Sequence, residues 1–214
     1  MNRQALITEM QRSRLVAVVR SRTAEDALAL AQSAIDGGVK FVEITFSVPG
    51  ALDVIRNLSG HSGAHVGAGT VLSKKQADSA IGAGAKFIVS PTLEVDLIPM
   101  CHESDIPCFP GAATPTEILA AARAGADLVK IFPADLVGGV DFIRQMVGPF
   151  PEVRFMVSGG VSLNNVKDYI QVGVIGICLG SAYLGSFLAQ HGRDRFVEEM
   201  KRYTRSVSEA QASS

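Results

Sequence analysis

The sequence is poor in cysteine and has almost no excess of charge. Its 214 residues include three cysteines and carry a formal net charge of -1. Three cysteines in apolar surroundings are too few for a disulfide framework, so we expect reduced thiols and a cytoplasmic protein. A balanced charge argues against nucleic-acid binding, because that function needs a basic surface.

Long uninterrupted hydrophobic runs and metal-ligand spacings are also missing. Residues 169–191 contain no Asp, Glu, Lys or Arg, but glycines interrupt this segment repeatedly. A strand, a glycine turn and a helix start explain it better than a membrane span does. Residues 1–14 are polar, so we expect no signal peptide. No histidine or cysteine has zinc-type spacing, so we expect no metal site.

Strand-like and helix-like segments alternate along the chain. Eight apolar runs have the composition of buried strands: residues 15–19, 41–46, 65–69, 87–90, 107–110, 127–134, 154–158 and 176–179. A polar helix over residues 2–13 precedes them. This alternation predicts a (β/α)₈ TIM barrel, an α/β fold formed by one domain over residues 1–214. An open doubly wound sheet is the alternative, but it requires a dinucleotide fingerprint that the sequence lacks.

Several residues mark the helix starts. Thr23, Ser73 and Thr114 are each followed three residues later by Asp, Gln or Glu, which predicts helix N-caps. We also expect Pro49 in the first turn of a helix and Ser162 as an N-cap.

The helix ends show a weak internal repeat. Four glycines, spaced by 46, 41 and 48 residues, each follow a helix and precede a strand: Gly38, Gly84, Gly125 and Gly173. Each interval corresponds to two strand–helix units. We expect a last helix over residues 193–207, and a Ser/Ala-rich tail beyond it that frays.

The sixth strand carries a lysine at its centre. Alternation places Lys130 on the same face as Leu128 and Phe132, while Val129 and Ile131 face the other way. An ammonium group in a packed interior loses its hydration, which favours the neutral amine that forms a Schiff base with a carbonyl compound. The alternative is a lysine that extends from the strand end into solvent.

The second strand brings a carboxylate to the same interior. Phe41, Glu43 and Thr45 share one strand face, so Glu43 and Lys130 are expected to meet inside the barrel. A lysine nucleophile with a carboxylate proton carrier is the functional interpretation. The alternative is a structural ion pair, although buried pairs add little net stability.

Active groups of such barrels lie at the carboxyl ends of the strands. The residues at those ends are Arg20, Glu43, Thr45, Thr70, Pro91, Pro110, Lys130, Phe132, Gly159, Gly160, Gly180 and Ser181. The last two pairs, Gly159-Gly160 and Gly180-Ser181, leave backbone N–H groups free beside helix starts, where a phosphate can bind. Ordinary turn chemistry is the alternative explanation of these glycines.

With these residues identified, the chain resembles the 2-keto-3-deoxy-6-phosphogluconate (KDPG) and 4-hydroxy-2-oxoglutarate (KHG) aldolases, which are class I, pyruvate-forming barrels. The matching motifs cover nearly the whole chain: Val42-Glu43-Ile44-Thr45, Gly67-Ala68-Gly69-Thr70-Val71, Phe87-Ile88-Val89-Ser90-Pro91, Pro110-Gly111, Thr114-Pro115-Thr116-Glu117, Val129-Lys130-Ile131-Phe132-Pro133-Ala134 and Ser158-Gly159-Gly160-Val161.

The resemblance implies an aldehyde-lyase that cleaves 2-dehydro-3-deoxy-6-phosphogluconate to pyruvate and glyceraldehyde 3-phosphate in the Entner–Doudoroff pathway. It implies that Lys130 forms the imine, so no separate cofactor is needed, and that Glu43 carries protons. The expected substrate-binding residues are Arg20, Thr70, Pro91, Phe132, Gly159, Gly160, Gly180 and Ser181. Of these, Thr70 would lie beside the pyruvyl carboxylate, with Gly160, Gly180 and Ser181 on the phosphate. The resemblance also implies a cytoplasmic homotrimer without a metal.

One position departs from the family pattern. Many members carry an arginine four residues after the glutamate, where it binds the substrate carboxylate, and this chain has Ser47. A neighbouring branch has an arginine at the end of the first strand instead, which is Arg20 here. The substrate could therefore derive from gluconate or galactonate, or could be unphosphorylated 4-hydroxy-2-oxoglutarate.

Two other classes of protein stay open from the residues alone. A phosphate-binding barrel could catalyse epimerisation or decarboxylation, but such enzymes use metal-binding histidines or an Asp/Lys array at the strand ends. A non-catalytic barrel that binds sugar phosphates would keep the glycine loops. Such a protein would have no use for a buried Lys130.

Overall fold

The computed structural model describes residues 1–212, which form nine strands and nine helices. The strands are β1 Leu15–Val19, β2 Phe41–Thr45, β3 His65–Gly69, β4 Ile88–Val89, β5 Cys108–Phe109, β6 Gly111–Ala112, β7 Val129–Ile131, β8 Phe155–Ser158 and β9 Gly176–Leu179. The helices are α1 Arg3–Ser13, α2 Ala24–Asp36, α3 Ala51–Leu58, α4 Lys74–Gly82, α5 Leu97–Glu103, α6 Pro115–Arg123, α7 Gly139–Val147, α8 Val166–Gln171 and α9 Ser181–Ala212.

All paired strands run parallel in one sheet, in the order β5-β4-β3-β2-β1-β9-β8-β7-β6. The strands at its two ends, β5 and β6, are separated in the chain only by Pro110. Lys130 N donates to Pro110 O at 2.8 Å, so β7 is also bonded to this break. The sheet is thus a TIM-type barrel, and the predicted fold is confirmed.

The fifth barrel strand differs from its prediction. The other strands lie within the predicted ranges, whereas β6 lies beyond the predicted end at residue 110. Proline has no N–H group and cannot donate to a sheet ladder. The strand is therefore divided at Pro110, with β5 paired to β4 and β6 paired to β7.

Side chains alternate between two apolar clusters. Phe41 and Leu128 belong to the cluster inside the barrel. Their neighbours Val42, Val129 and Ile131 belong to the larger cluster between the strands and the helices. This arrangement confirms the predicted alternation along the second and sixth strands, and it directs Glu43 and Lys130 inward.

Helix α1 closes the amino end of the barrel. Leu6, Ile7 and Met10 project from it into the interior cluster and are almost fully buried. Asn2 caps the helix, because its Oδ1 accepts a hydrogen bond from Ala5 N at 2.9 Å. The predicted N-terminal helix is confirmed, and it serves as an apolar plug.

Three of the predicted N-caps are confirmed. The side chains of Thr23, Ser73 and Thr114 each accept a hydrogen bond from the backbone N–H three residues later. Thr114 and Glu117 form a complete capping box, with Pro115 as the first helical residue.

The prediction for Pro49 was wrong. Helix α3 begins at Ala51, and its N-cap is Gly50 with φ of 70°. The chain enters the helix through Gly50 in the left-handed conformation, which glycine adopts readily. Pro49 therefore stays in the preceding turn.

The prediction for Ser162 was also wrong. Helix α8 begins at Val166, and Asn165 occupies the N-cap position. Ser162 N donates to Asn165 Oδ1 at 2.9 Å, which forms a turn before the helix.

The last helix is longer than predicted. Helix α9 starts at Ser181 and continues to Ala212, with non-helical Gly192 (φ 75°, ψ 170°) between its two parts, residues 181–191 and 193–212. Residues 208–212, which were expected to fray, are helical, and residues 213–214 lie outside the described part. Glycine at residue 192 allows the change of direction, because other residues adopt a positive φ rarely.

The glycine repeat corresponds to one recurring backbone feature. Gly38, Gly84, Gly125 and Gly173 all have φ between 86° and 99°. Each ends a helix in the left-handed conformation before the next strand begins. Within residues 1–212, no helix combines the length and hydrophobicity that crossing a membrane requires.

Candidate active site

A cavity of about 380 Å³ opens at the carboxyl ends of the strands. It is lined by every residue that the sequence singled out as catalytic or substrate-binding: Arg20, Glu43, Thr70, Pro91, Lys130, Phe132, Gly159, Gly160, Gly180 and Ser181. These residues come from seven of the eight barrel positions, and only the barrel brings them together.

Lys130 and Glu43 face each other across the floor of this cavity. Lys130 Nζ lies 3.5 Å from Glu43 Oε2, although the residues are 87 positions apart in the chain. Lys130 is 5 % exposed and Glu43 is 1 % exposed. Nζ also lies 5.7 Å from the centroid of the Phe132 ring, at the far limit of a cation–π contact. The amine can therefore react only with a molecule that enters the cavity.

Strand β3 makes room for the glutamate. A Cβ atom at Gly69 would overlap the Glu43 carboxylate, and one at Gly67 would overlap the ring of Phe87. Any larger residue at these two positions would displace Glu43 or the aromatic layer beneath it. The glycines of the Gly67-Ala68-Gly69 motif therefore have a packing function.

The layer next to the ion pair contains a thiol that stays neutral. Cys178 belongs to the interior cluster, and burial raises its pKa to about 12. Nearby Lys130 opposes this shift, and the Glu43 carboxylate adds to it. The thiol therefore adds no charge beside the Lys130–Glu43 pair at neutral pH.

Arg20 and Ser47 occupy different places. Arg20 lines the cavity, and its Nη2 lies 3.5 Å from Thr70 Oγ1. No ion pair formed within residues 1–212 includes Arg20, so its guanidinium has no carboxylate partner there. Ser47 is exposed, is not among the lining residues, and its hydroxyl lies 2.8 Å from Thr45 Oγ1. The guanidinium available to a substrate carboxylate in this part of the cavity therefore belongs to Arg20, and residue 47 offers none.

Thr70 has an unusual backbone. Its φ is 57°, in the left-handed region that threonine rarely adopts. A β-branched residue is strained there and is held by its surroundings, a feature that concentrates at binding sites. Thr70 turns the chain at the end of β3 and presents its side chain to the cavity.

The two glycine loops border the other side of the cavity. Gly159 and Gly160 have φ of 110° and 66°, and Gly180-Ser181 leads into α9. The side chain of Asp135 packs so closely on the first loop that a Cβ at either glycine would overlap it. Glycine at both positions therefore allows Asp135 to lie close against this loop.

The sequence reasoning missed some cavity residues. Val18, Ser158, Val161, Ala182 and Tyr183 also line the cavity. Thr45, which the sequence placed at a strand end without a role in binding, lines it too. Alternation along β8 could have identified Ser158, whereas Tyr183 carried no such signal because it lies on a helix beyond the strand end. Among residues 1–212 there is no group of three or more His, Cys, Asp or Glu side chains that could hold a metal ion.

Comparison with known proteins gives a consistent result. The sequence model of the KDPG and KHG aldolase family matches residues 6–197. A 2-dehydro-3-deoxy-phosphogluconate aldolase of Haemophilus influenzae is 34% identical over 87% of this chain and 89% of its own length. The KHG/KDPG aldolase of Escherichia coli K12 is 36% identical over 79% of this chain and 80% of its own length.

A solved structure extends the similarity to three dimensions. The KDPG aldolase of Legionella pneumophila, with pyruvate captured as a covalent carbinolamine intermediate, superimposes with a TM-score of 0.82. It is 28% identical and the match covers 91% of this chain and 96% of that one. By its sequence, its barrel and its matches over most of both chains, this protein belongs to the KDPG and KHG aldolase family.

Proposed function

We propose that this protein is a class I aldolase that cleaves 2-dehydro-3-deoxy-6-phosphogluconate to pyruvate and glyceraldehyde 3-phosphate. The observation that carries the proposal is the buried Lys130–Glu43 pair at the floor of the cavity, 3.5 Å apart. Buried ion pairs add little net stability, so a structural role alone does not account for the pair. A nucleophilic amine beside a carboxylate is what imine chemistry requires.

Imine formation begins the reaction. The deprotonated amine of Lys130 attacks the C2 ketone of the substrate, and the resulting carbinolamine loses its hydroxyl as water. Glu43 supplies the proton for this departure and accepts protons from the nitrogen. The product is a protonated imine between Lys130 and C2.

Cleavage uses this imine as an electron sink. Glu43, again a carboxylate after the loss of water, accepts the proton of the C4 hydroxyl. The C3–C4 bond then breaks, and its electron pair moves through C3 to the nitrogen to form an enamine. Glyceraldehyde 3-phosphate leaves as the aldehyde. Glu43 then helps to protonate C3, and water hydrolyses the pyruvyl imine to release pyruvate and free Lys130.

The remaining cavity residues are assigned to the two ends of the substrate. Arg20 and Thr70 would bind the pyruvyl carboxylate, since a guanidinium can pair with both of its oxygens. The backbone N–H groups at Gly159, Gly160, Gly180 and Ser181 would bind the phosphate, supported by the start of α9. Pro91 and Phe132 would form apolar walls between the two.

Two related substrates stay within the proposal. The position of Arg20 and the serine at residue 47 also suit the galactonate-derived isomer, and some relatives are named KHG/KDPG aldolase. Steady-state kinetics on both phosphorylated isomers and on 4-hydroxy-2-oxoglutarate, with pyruvate measured by a coupled dehydrogenase, rank the three. The highest kcat/KM on the gluconate-derived substrate is the expected result.

The deciding experiment is covalent trapping. Incubation with pyruvate and borohydride should inactivate the enzyme and add one reduced pyruvyl group, which peptide mapping should locate on Lys130. Lys130→Arg should prevent labelling, whereas the matched exchange Lys86→Arg at another lysine should leave it intact. A non-catalytic sugar-phosphate-binding barrel would give no label, and labelling of a different lysine would remove Lys130 from the mechanism.

The family resemblance supports further properties that we propose with this activity. They are a homotrimeric assembly, a cytoplasmic location, a place in the Entner–Doudoroff pathway, no requirement for a separate cofactor, and a single domain over residues 1–214. The single sheet that contains every strand of residues 1–212 supports the last of these. Sedimentation equilibrium would test the trimer directly.

A further inference from the structure

Tyr183 connects the cavity to a buried carboxylate on a distant part of the chain. It lines the cavity two residues after Ser181, in the first turn of α9. Its hydroxyl donates to Glu199 Oε1 at 2.7 Å. An unbroken helix would separate residues 183 and 199 by about 24 Å, so the contact exists only because the chain turns at Gly192.

Glu199 is buried and shared between two donors. It is 6 % exposed, and its second oxygen accepts from Arg202 Nη1 at 2.6 Å. Burial and the Glu199 carboxylate both raise the pKa of Tyr183, so the phenol keeps its proton and continues to donate. The phenol therefore stays a hydrogen-bond donor at neutral pH.

Aromatic contacts fix the same tyrosine from the side. The Tyr183 ring lies 5.8 Å from Phe187 and 6.1 Å, edge-on, from Tyr203, measured between centroids. With its hydroxyl held by Glu199, the ring has little freedom to rotate out of the cavity wall. The first turn of α9, which contains Ser181, is thereby attached to the part of the helix after Gly192.

We propose that Tyr183 is a specificity-determining wall for the phosphorylated half of the substrate, and that Glu199 is the positioning residue that holds it. This inference rests on the proposed function, because the phosphate is assigned to the loop that α9 continues. The pyruvyl half lies at the Lys130–Glu43 pair on other strands. Loss of the Tyr183–Glu199 hydrogen bond should therefore weaken binding of the phosphorylated half of the substrate and leave binding of the pyruvyl half unchanged.

The test separates the two ends by measuring two constants for Tyr183→Phe. One is the KM for the phosphorylated substrate, and the other is the pyruvate concentration that gives half-maximal labelling with borohydride. The variant keeps the ring and removes only the hydroxyl. KM should rise about tenfold, the effect of a small misplacement in a binding site, while the pyruvate constant stays unchanged.

A double-mutant cycle tests whether Glu199 acts through the tyrosine. Glu199→Met keeps the length of the side chain but removes the oxygen that accepts from Tyr183. It should raise KM in the same sense, and the double variant should be no worse than Tyr183→Phe alone, because both substitutions remove the Tyr183–Glu199 hydrogen bond. Tyr169→Phe is the matched control, since Tyr169 is a buried tyrosine on α8 that does not line the cavity. This control should leave both constants unchanged.

The outcomes distinguish this inference from the proposed function. If the parent enzyme gives no pyruvyl label, the proposed function fails. If labelling is normal but Tyr183→Phe leaves KM unchanged, or raises both constants equally, the inference alone is overturned. Additive effects of the two substitutions would overturn the role of Glu199, as would an equal rise in KM for Tyr169→Phe.

Discussion

The two ends of the barrel are built from the same strands, but each end holds an arginine in a different setting. At the amino end, Arg3 Nη1 donates to Asp127 Oδ1 at 3.0 Å, and His102 Nε2 lies 2.8 Å from the other oxygen of that carboxylate. At the carboxyl end, Arg20 has no carboxylate partner within residues 1–212. Arg3, which holds the fold together, is paired with a carboxylate, whereas Arg20, which is expected to meet substrate, is not so paired in the described part of the chain.

The interior shows the same contrast between adjacent layers. Leu128 and Lys130 share one strand face, as do Phe41 and Glu43, and only the second residue of each pair is charged. The apolar members pack toward the amino end with the residues of α1. The apolar layer is expected to stabilise the fold, and the charged layer is expected to react with substrate. Substitutions at the amino end should therefore change the free energy of unfolding, and those at the carboxyl end should change turnover.

The largest expected effect is on turnover at the carboxyl end. Glu43→Gln keeps the shape of the side chain but removes the carboxylate that we propose carries protons, so kcat should fall about 10²–10⁴-fold. Pyruvate should still label Lys130, more slowly. Stopped assays of pyruvate release measure the first effect. Near-normal turnover would make Glu43 a structural partner of the lysine.

The matching change at the amino end should affect stability instead. Met10 is fully buried in the interior cluster, so Met10→Ala should lower the free energy of unfolding by about 2–5 kcal/mol. Urea denaturation measures this loss, and the kcat of the folded fraction should be unchanged. Leu136→Ala is the control, because that leucine is 80 % exposed and its truncation should cost little. A stable but inactive Met10→Ala variant would contradict the division between the ends.

A smaller effect is expected from the unpaired cation. Arg20→Ala should raise the pyruvate concentration for half-maximal labelling about tenfold, because a charge-assisted hydrogen bond is lost. Arg20→Lys should weaken pyruvate binding less than Arg20→Ala does. Lysine keeps the positive charge but cannot form the bidentate pair of hydrogen bonds that a guanidinium makes with a carboxylate.

A second substitution sharpens that result. Adding Ser47→Arg to Arg20→Ala should recover part of the lost affinity if both positions can serve one carboxylate. Unchanged pyruvate binding by Arg20→Ala would leave the carboxylate to Thr70 and backbone amides.

The smallest expected effect is at the cap of α1. Asn2→Ala removes the acceptor for Ala5 N, so the free energy of unfolding should fall by about 1 kcal/mol. Steady-state kinetics should not change, because the amino end does not touch the cavity. A change in KM from this substitution would show that the two ends are coupled.

Features that depend on local physics were predictable. The alternation of Leu128, Val129 and Lys130 between two faces follows from the period of a strand, and the structure agrees with it. The caps at Thr23 and Thr114 were predictable because a side chain there satisfies a backbone donor only three residues away. The choice of cavity residues from the strand ends relied on a second step, the rule that parallel strands in a barrel end on one side.

The amino-acid sequence by itself determined the order of strands and helices and the direction of the side chains on the second and sixth barrel strands, because both arise from interactions within a few residues. Only the tertiary structure decided the division of the fifth strand at Pro110, the change of direction at Gly192, and the contact between Tyr183 and Glu199. The 3.5 Å approach of Lys130 to Glu43 also belongs to this second group. Such contacts join residues far apart in the chain, and their geometry depends on how the whole barrel packs.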